Sequence, residues 1–265
     1  MGVNDPQCLS CGRRYPGMFG FAHVLRDLGD DMGFTPLVMF ACGALYLATL
    51  AANSEGIGTS GMLSFLSPSG VSLFLFGASG ALPVFGEGRW WTVLSAAWLH
   101  GGVLHIVFNM MAVRNIAPAV AHLYGPGRTV IVYTVAAASG FLLSSAAGAF
   151  LPHILGGSTI TVGASASIMG LVGALWYYGR RGGSTFIGQQ AKGIVVSIAV
   201  MGFILPGIDN WAHLGGFAGG YAAARLLDPL KPERGDHVLL AILCLVASLL
   251  SVGWSFFSGR ALLGL

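Results

Sequence analysis

The sequence predicts an all-α membrane protein, a polytopic bundle of about seven transmembrane helices. Hydrophobic residues make up 55% of the 265 residues and charged residues only 9%, whereas a soluble domain carries about 25% charged residues. The 41 glycines favour closely packed transmembrane helices. A net charge of +3 is too small to indicate nucleic acid as a partner.

Seven apolar segments are long enough to be interpreted as membrane spans. Their approximate limits are 35–53, 103–123, 128–150, 161–179, 191–207, 210–227 and 238–257. The interval 54–102 is mixed in character, so we expect a partly embedded loop that carries short helices. Trp90, Trp91 and Trp98 within it are suited to a membrane interface.

The basic residues predict how the chain is oriented. Eleven of the 13 Lys and Arg residues lie on the side of the N-terminus, and only Arg89 and Arg260 lie on the opposite side. The N-terminus is therefore expected to be cytoplasmic, in a multi-pass protein of the cell membrane. Residues 1–33 would form a cytoplasmic segment, 34–257 the membrane domain and 258–265 a short C-terminal tail.

Polar side chains interrupt three of the apolar spans at a similar expected depth. Asn109 would lie roughly 9–10 Å below a helix start at Gly101-Gly102, and Ser165 about 9 Å below a start near Thr159. His213 would lie roughly 5 Å below Asn210. Polar groups at membrane depth are costly and usually functional, so these three positions predict one shallow site.

Ser165 and His213 are the candidate reacting groups. A serine hydroxyl becomes an effective nucleophile when a base takes its proton, and His213 is the only histidine of the sixth span. No Asp or Glu lies well inside any span, which favours a Ser-His dyad. Asp209 lies one turn before His213 and could contact it, but it or Asn210 is better suited to cap that helix.

Acyl transfer also requires hydrogen-bond donors for the oxyanion. His105 and Asn109 are four residues apart and share a helix face. Both can donate without adding a full charge, and the Ser165 backbone N–H is a third candidate. His100 precedes the glycine pair and is expected to give structural polar support to the loop.

Small residues predict that the fourth and sixth spans pack closely. Gly216 and Gly220 continue a four-residue repeat from Ala212, and Ala166 and Gly170 begin a matching repeat. Such faces let helix backbones approach each other, which would bring His213 to Ser165; helix packing without catalysis is the alternative. Two other serines are less suited to be the nucleophile, because Ser79 lies in the loop and Ser167 lies on another helix face.

Together these residues resemble the rhomboid family of intramembrane serine proteases. The matching motifs are His100-x4-His105-x3-Asn109, Gly163-x-Ser165 and Ala212-His213-x2-Gly216-x3-Gly220. The resemblance covers about residues 74–227 and implies a six-helix core plus one C-terminal helix. It implies Ser165 as nucleophile, His213 as general base, no cofactor, and transmembrane proteins in the surrounding lipid as substrates, cut near the outer face. The oligomeric state stays open.

Two residues depart from the family pattern. Two other functions are alternatives to proteolysis. Ala166 stands where the family usually has Gly, and Met169 stands where an aromatic residue often packs on the histidine. A non-proteolytic, client-binding relative would not need Ser165 and His213 together. A small-solute transporter would need a polar path to the other face, which the spans lack.

A Cys-x-x-Cys motif precedes the membrane region. Cys8 and Cys11 resemble the first knuckle of a zinc ribbon, but tetrahedral zinc takes four ligands and there is no second cysteine pair. His23 alone does not complete the set. We therefore expect no bound metal, with a zinc ion shared between two chains as the alternative.

Overall fold

The computed structural model describes residues 7–8, 10–12, 29–59, 65–152, 156–182, 184–205 and 207–264. Regular structure in these ranges is helical, apart from two isolated bridges, Gly58–Ser67 and Ser79–Thr161. The α-helices are α1 Phe34–Ala52, α2 Gly70–Phe76, α3 Thr92–Ser95, α4 Val103–Tyr124, α5 Pro126–Phe150, α6 Ser165–Arg180, α7 Thr185–Ile204, α8 Asn210–Leu226 and α9 Gly235–Leu263.

Helix length separates the spans into two groups. In the described part of the chain, α1, α4, α5, α7 and α9 are long and apolar enough to cross a membrane. Helices α6 and α8 have 16 and 17 residues, so each rises about 24–26 Å, less than the ~30 Å hydrocarbon layer. The chain is an integral multi-pass membrane protein, and the predicted polytopic helical bundle is confirmed.

Helix α5 lies at the centre of the bundle. It is the most deeply buried of the long helices and packs against α4, α6, α8 and α9. Gly140 makes this close contact possible, because a Cβ there would lie 2.8 Å from the Ala166 Cβ and 2.6 Å from the Ala212 carbonyl oxygen. The two short helices α6 and α8 are therefore held against one surface of α5.

The N-terminus of α5 also fixes α9. Arg128 is only 2% exposed, although it lies at the end of its span. Its guanidinium donates hydrogen bonds to the carbonyl oxygens of Lys231 (2.7 Å) and Pro232 (2.6 Å), while its Nε donates to His237 Nδ1 (3.0 Å). The Glu233 carboxylate accepts from the Arg128 backbone N–H at 2.8 Å. The segment between α8 and α9 is thus tied to the core.

The interval 54–102 contains short helices, as the sequence predicts. Besides α2 and α3, it has 3₁₀ turns at Ser54–Gly56 and Ala96–Trp98 and a π turn at Leu82–Gly86. Trp90 is exposed, in agreement with an interfacial position. The same expectation for Trp98 is wrong, because its ring is buried and packs 6.0 Å from that of Tyr133.

Several helix boundaries differ from those expected, among them those of α6 and α9. Helix α6 begins at Ser165, not near Thr159, because the preceding chain is extended and pairs with the loop through Thr161. Gly163 has a φ of +134°, which favours glycine and ends the extended segment. Helix α9 continues to Leu263, since Gly259 packs on Leu75, so most of the expected tail 258–265 is helical.

Candidate active site

Ser165 is the first residue of α6. The segment before it forms backbone hydrogen bonds with two parts of the interval 54–102. Ser79 and Thr161 exchange two backbone hydrogen bonds, of 3.0 and 2.7 Å, and the Gly163 N–H donates to the Ala96 carbonyl at 2.9 Å. The side chain of Ser165 is half-buried. Its backbone N–H lies at the start of a helix, where amide groups have no intrahelical partner and can stabilise negative charge.

His105 lies beside the chain that leads to Ser165. A Cβ on Gly163 would lie 2.6 Å from His105 Nε2 and 3.7 Å from Ser165 Oγ, so glycine is needed for this approach. The Gly101 N–H donates to His105 Nδ1 at 3.3 Å. Because Nδ1 accepts, the neutral ring carries its proton on Nε2, the nitrogen that faces Gly163.

Asn109 and His100 surround His105. Asn109 is buried one turn below, and its Nδ2 donates to the His105 carbonyl oxygen at 2.8 Å. A side-chain amide has two N–H donors, so one remains for the site. His100 is fully buried, with its ring 5.2 Å from that of His105 in an edge-to-face arrangement. The structure thus brings together the three residues of the first motif.

His213 lies in the first turn of α8. Asp209 caps this helix, as expected, by accepting from the Ala212 N–H at 2.9 Å, and its second oxygen accepts from Ser144 Oγ at 2.5 Å. Both oxygens of Asp209 therefore bind groups other than His213. In the described residues, the buried Nδ1 of His213 has no hydrogen-bond partner.

Helix α8, which carries His213, packs closely against α6 through its glycine face. A Cβ on Gly216 would overlap the carbonyl oxygen of Ala166, and one on Gly220 would overlap the Gly170 backbone. Within the described ranges, no hydrogen bond joins Ser165 to His213.

The two departures from the family pattern lie in this packed region. Ala166 is buried, and its methyl group faces Gly140, which leaves room for it. Met169 is buried too. Ala166 is thus accommodated by a glycine on the neighbouring helix.

The remaining candidates lie elsewhere. Ser79 is buried and its hydroxyl lies 3.4 Å from that of Ser145, which gives it a structural position. Ser167 is fully buried. Cys8 and Cys11 lie together in a turn in which the Gly12 N–H donates to the Cys8 carbonyl at 2.9 Å, and hydrogen bonds from Cys11 lower the pKa of Cys8.

Some contributions to the site were missed by sequence reasoning. The Asp209–Ser144 bond, the Gly163 N–H to Ala96 bond and the approach of Gly163 to His105 join segments far apart in the chain. A glycine two residues before the serine was the available signal for the last of these. No group of three or more metal-ligating side chains occurs in the described part of the chain.

Comparison with known proteins shows the family of this chain. Residues 87–229 match the Rhomboid domain. The chain is 33% identical to rhomboid protease GluP of Bacillus subtilis (strain 168) over 189 residues, 70% of this chain and 35% of that protein. It is 31% identical to RHOMBOID-like protein 4 of Arabidopsis thaliana over 182 residues, 64% of this chain and 42% of that protein.

A further relative is matched over more of its length. RHOMBOID-like protein 7 of Arabidopsis thaliana is 30% identical over 221 residues, 75% of this chain and 67% of that protein. The chain belongs to the rhomboid family, and the resemblance inferred from its motifs is confirmed. It spans only about a third of GluP and 42% of RHOMBOID-like protein 4.

Proposed function

We propose that this protein is an intramembrane serine endopeptidase with Ser165 as nucleophile and His213 as general base. The observation that carries the proposal is the close contact of two short helices near their N-termini, where Gly216 meets Ala166. The likeness to rhomboid protease GluP supports it. Both helices are too short to span the hydrocarbon layer, which suits a site below one surface.

In this mechanism, Ser165 Oγ attacks the scissile carbonyl while His213 takes the hydroxyl proton. Developing negative charge on the carbonyl oxygen is stabilised by Nε2–H of His105 and the backbone N–H of Ser165, with Asn109 as a further donor. His213 then gives its proton to the leaving amine, and a water molecule hydrolyses the acyl-enzyme. Asp209 caps α8 and is not a third member.

The substrates in this proposal are transmembrane proteins cut near the outer face of the membrane. A helical backbone hides its carbonyl groups in hydrogen bonds, so the substrate must unwind at the cut. The basic residues predict a cytoplasmic N-terminus in a protein of the cell membrane, and the reaction would use no cofactor. The membrane domain would cover residues 34–257, with 1–33 as a cytoplasmic segment and 258–265 as a short C-terminal tail.

The test is labelling of the purified protein by a fluorescent serine-directed phosphonate, together with cleavage of a transmembrane substrate. Ser165→Ala and His213→Ala should each abolish labelling and cleavage while the thermal stability is kept. Ser79→Ala and Ser167→Ala are the controls and should label like the parent. A client-binding protein or a transporter would not label at all, and labelling that persists in Ser165→Ala would show that another serine reacts.

A further inference from the structure

Helix α9 lies outside the matched domain, which ends at residue 229. It nevertheless packs on α2 and α3 of the interval that leads to the site, as well as on α5. Its outer half meets that interval closely. A Cβ on Gly77 would lie 2.5 Å from Ser255 Oγ, and one on Gly259 would lie 3.2 Å from Leu75 Cα. This close fit requires an explanation beyond anchoring in lipid.

Two side chains of the interval bind α9 at one residue. Arg89 is 1% exposed; its guanidinium donates to the carbonyl oxygens of Phe74 at 2.8 Å and Ser255 at 2.7 Å, and lies 4.2 Å from the Phe74 ring centroid. Trp91 Nε1 donates to Ser255 Oγ at 3.0 Å. The two carbonyl dipoles and the aromatic face offset part of the cost of burying this guanidinium.

Further hydrogen bonds connect the contacts at Ser255 with the segment that precedes Ser165. Thr92 Oγ1 donates to the Arg89 carbonyl at 2.7 Å, and Ser95 Oγ donates to the Gly77 carbonyl at 2.8 Å. The next residue, Ala96, accepts from the Gly163 N–H at 2.9 Å. The same stretch runs directly into His100. One path therefore joins α9 to the segment before Ser165 and to the histidine motif.

We propose that α9 is a positioning element for the active site, acting through Arg89, Trp91 and Ser255 as a brace. The brace fixes where residues 92–100 lie, and so fixes the oxyanion donors relative to Ser165. Arg89 and Ser255 are positioning residues that do not touch the substrate. The inference rests on the proposed function for its catalytic consequence, but the brace itself can be tested without catalysis.

The first measurement separates the maximal rate of phosphonate labelling from phosphonate affinity. Arg89→Lys cannot bridge two carbonyl groups as the planar guanidinium does, and Trp91→Phe removes the indole donor. Both variants should lower the maximal labelling rate about 10-fold and leave the affinity for phosphonate unchanged. This decrease is smaller than the roughly 10²-fold loss of rate that a 1 Å misplacement can cause. Ser251→Ala is the matched control, because the Ser251 hydroxyl bonds only its own helix, to the Ser248 carbonyl.

A double-mutant comparison tests the individual bond. Trp91→Phe and Ser255→Ala remove the two ends of the same hydrogen bond, so the double variant should label no more slowly than the slower single variant. Independent effects that multiply would overturn the role assigned to this bond. Equal labelling by Arg89→Lys, Trp91→Phe and the parent would overturn the brace.

The second measurement is amide hydrogen exchange of residues 92–100, which requires no activity. Exchange should be faster in Arg89→Lys and Trp91→Phe than in the parent and in Ser251→Ala. If the parent fails to label but exchange responds in this way, the proposed function is wrong and the brace stands. Unchanged exchange in both variants would overturn the brace whatever the labelling shows.

Discussion

His105 shows how a polar residue can serve at membrane depth without carrying charge. Its Nδ1 accepts from the Gly101 N–H, and the resulting tautomer presents Nε2–H toward the chain before Ser165. A neutral donor avoids the cost of burying a charge. The glycine pair at 101–102 matters because it supplies both the backbone donor and the start of α4.

The approach of Gly163 to this ring can be tested directly. In Gly163→Ala, the new methyl group would lie 2.6 Å from His105 Nε2, and the φ of +134° is unfavourable for any side chain. We expect phosphonate labelling of Ser165 to slow by on the order of 10²-fold, as for loss of an oxyanion donor. Gly253→Ala is the control and should label normally, because a Cβ there meets nothing within 4 Å. Equal labelling rates for Gly163→Ala and the parent would contradict the role assigned to His105.

Asp209 allows the dyad to be distinguished from a triad. Asn caps helices about as well as Asp, so Asp209→Asn should keep the bond to the Ala212 N–H while it removes the charge near His213. We expect labelling within about twofold of the parent, and we expect Asp209→Ala to lose about 1 kcal/mol of stability with the cap. A large loss of labelling in Asp209→Asn at normal stability would instead show that the carboxylate acts on His213.

At the scale of elements, the glycine face of α8 sets the distance between the two reacting helices. A valine at position 220 would meet the Gly170 backbone, which cannot move aside as a flexible side chain can. Gly220→Val should therefore lose most phosphonate labelling, by on the order of 10²-fold if His213 shifts by about 1 Å. Ala222→Val, at an exposed position of the same helix, is the control.

Thermal stability measured on both variants shows how α6 and α8 respond to Gly220→Val. Rapid labelling of Gly220→Val would mean that α6 and α8 do not need this contact, and that His213 reaches Ser165 by another arrangement. Slow labelling with a folded protein would support overpacking as the cause.

The start of α6 illustrates what hydropathy patterns miss at this scale. The apolar run begins near residue 161, and the sequence predicted a helix from about there. The structure keeps residues 161–163 out of the helix, because Thr161 pairs with Ser79 and the Gly163 N–H donates to Ala96. Apolar composition is equally compatible with helix and with a paired extended chain in a protein interior, so only the pairing decides.

At the scale of the whole molecule, the distribution of charge predicts topology. Eleven of 13 basic residues fall in segments predicted to lie on the side of the N-terminus, so a tag after Leu265 should react with a membrane-impermeant reagent added outside intact cells. A tag before Met1 should react only after permeabilisation. The opposite labelling pattern would place Ser165 and His213 near the cytoplasmic face and reverse the side on which substrates are cut.

The sequence by itself determined the class of fold and the candidate residues. Apolar runs of membrane length predict spans because unpaired backbone groups are so costly in lipid, and Ser165, His105, Asn109 and His213 stand out because polar groups there are rare. The four-residue repeat of small residues likewise predicts close packing, since helical periodicity places those residues on one face.

Only the tertiary structure decided how these residues are presented. The tautomer of His105 depends on the Gly101 N–H, the second partner of Asp209 is Ser144 on α5, and the burial of Arg89 and Arg128 depends on carbonyl groups distant in sequence. Such contacts produce no periodic pattern in the sequence, because hydrogen bonds between distant segments depend on where the backbone lies in space. The sequence identified the polar groups, and the packing of α5, α8 and α9 determined what each of them binds.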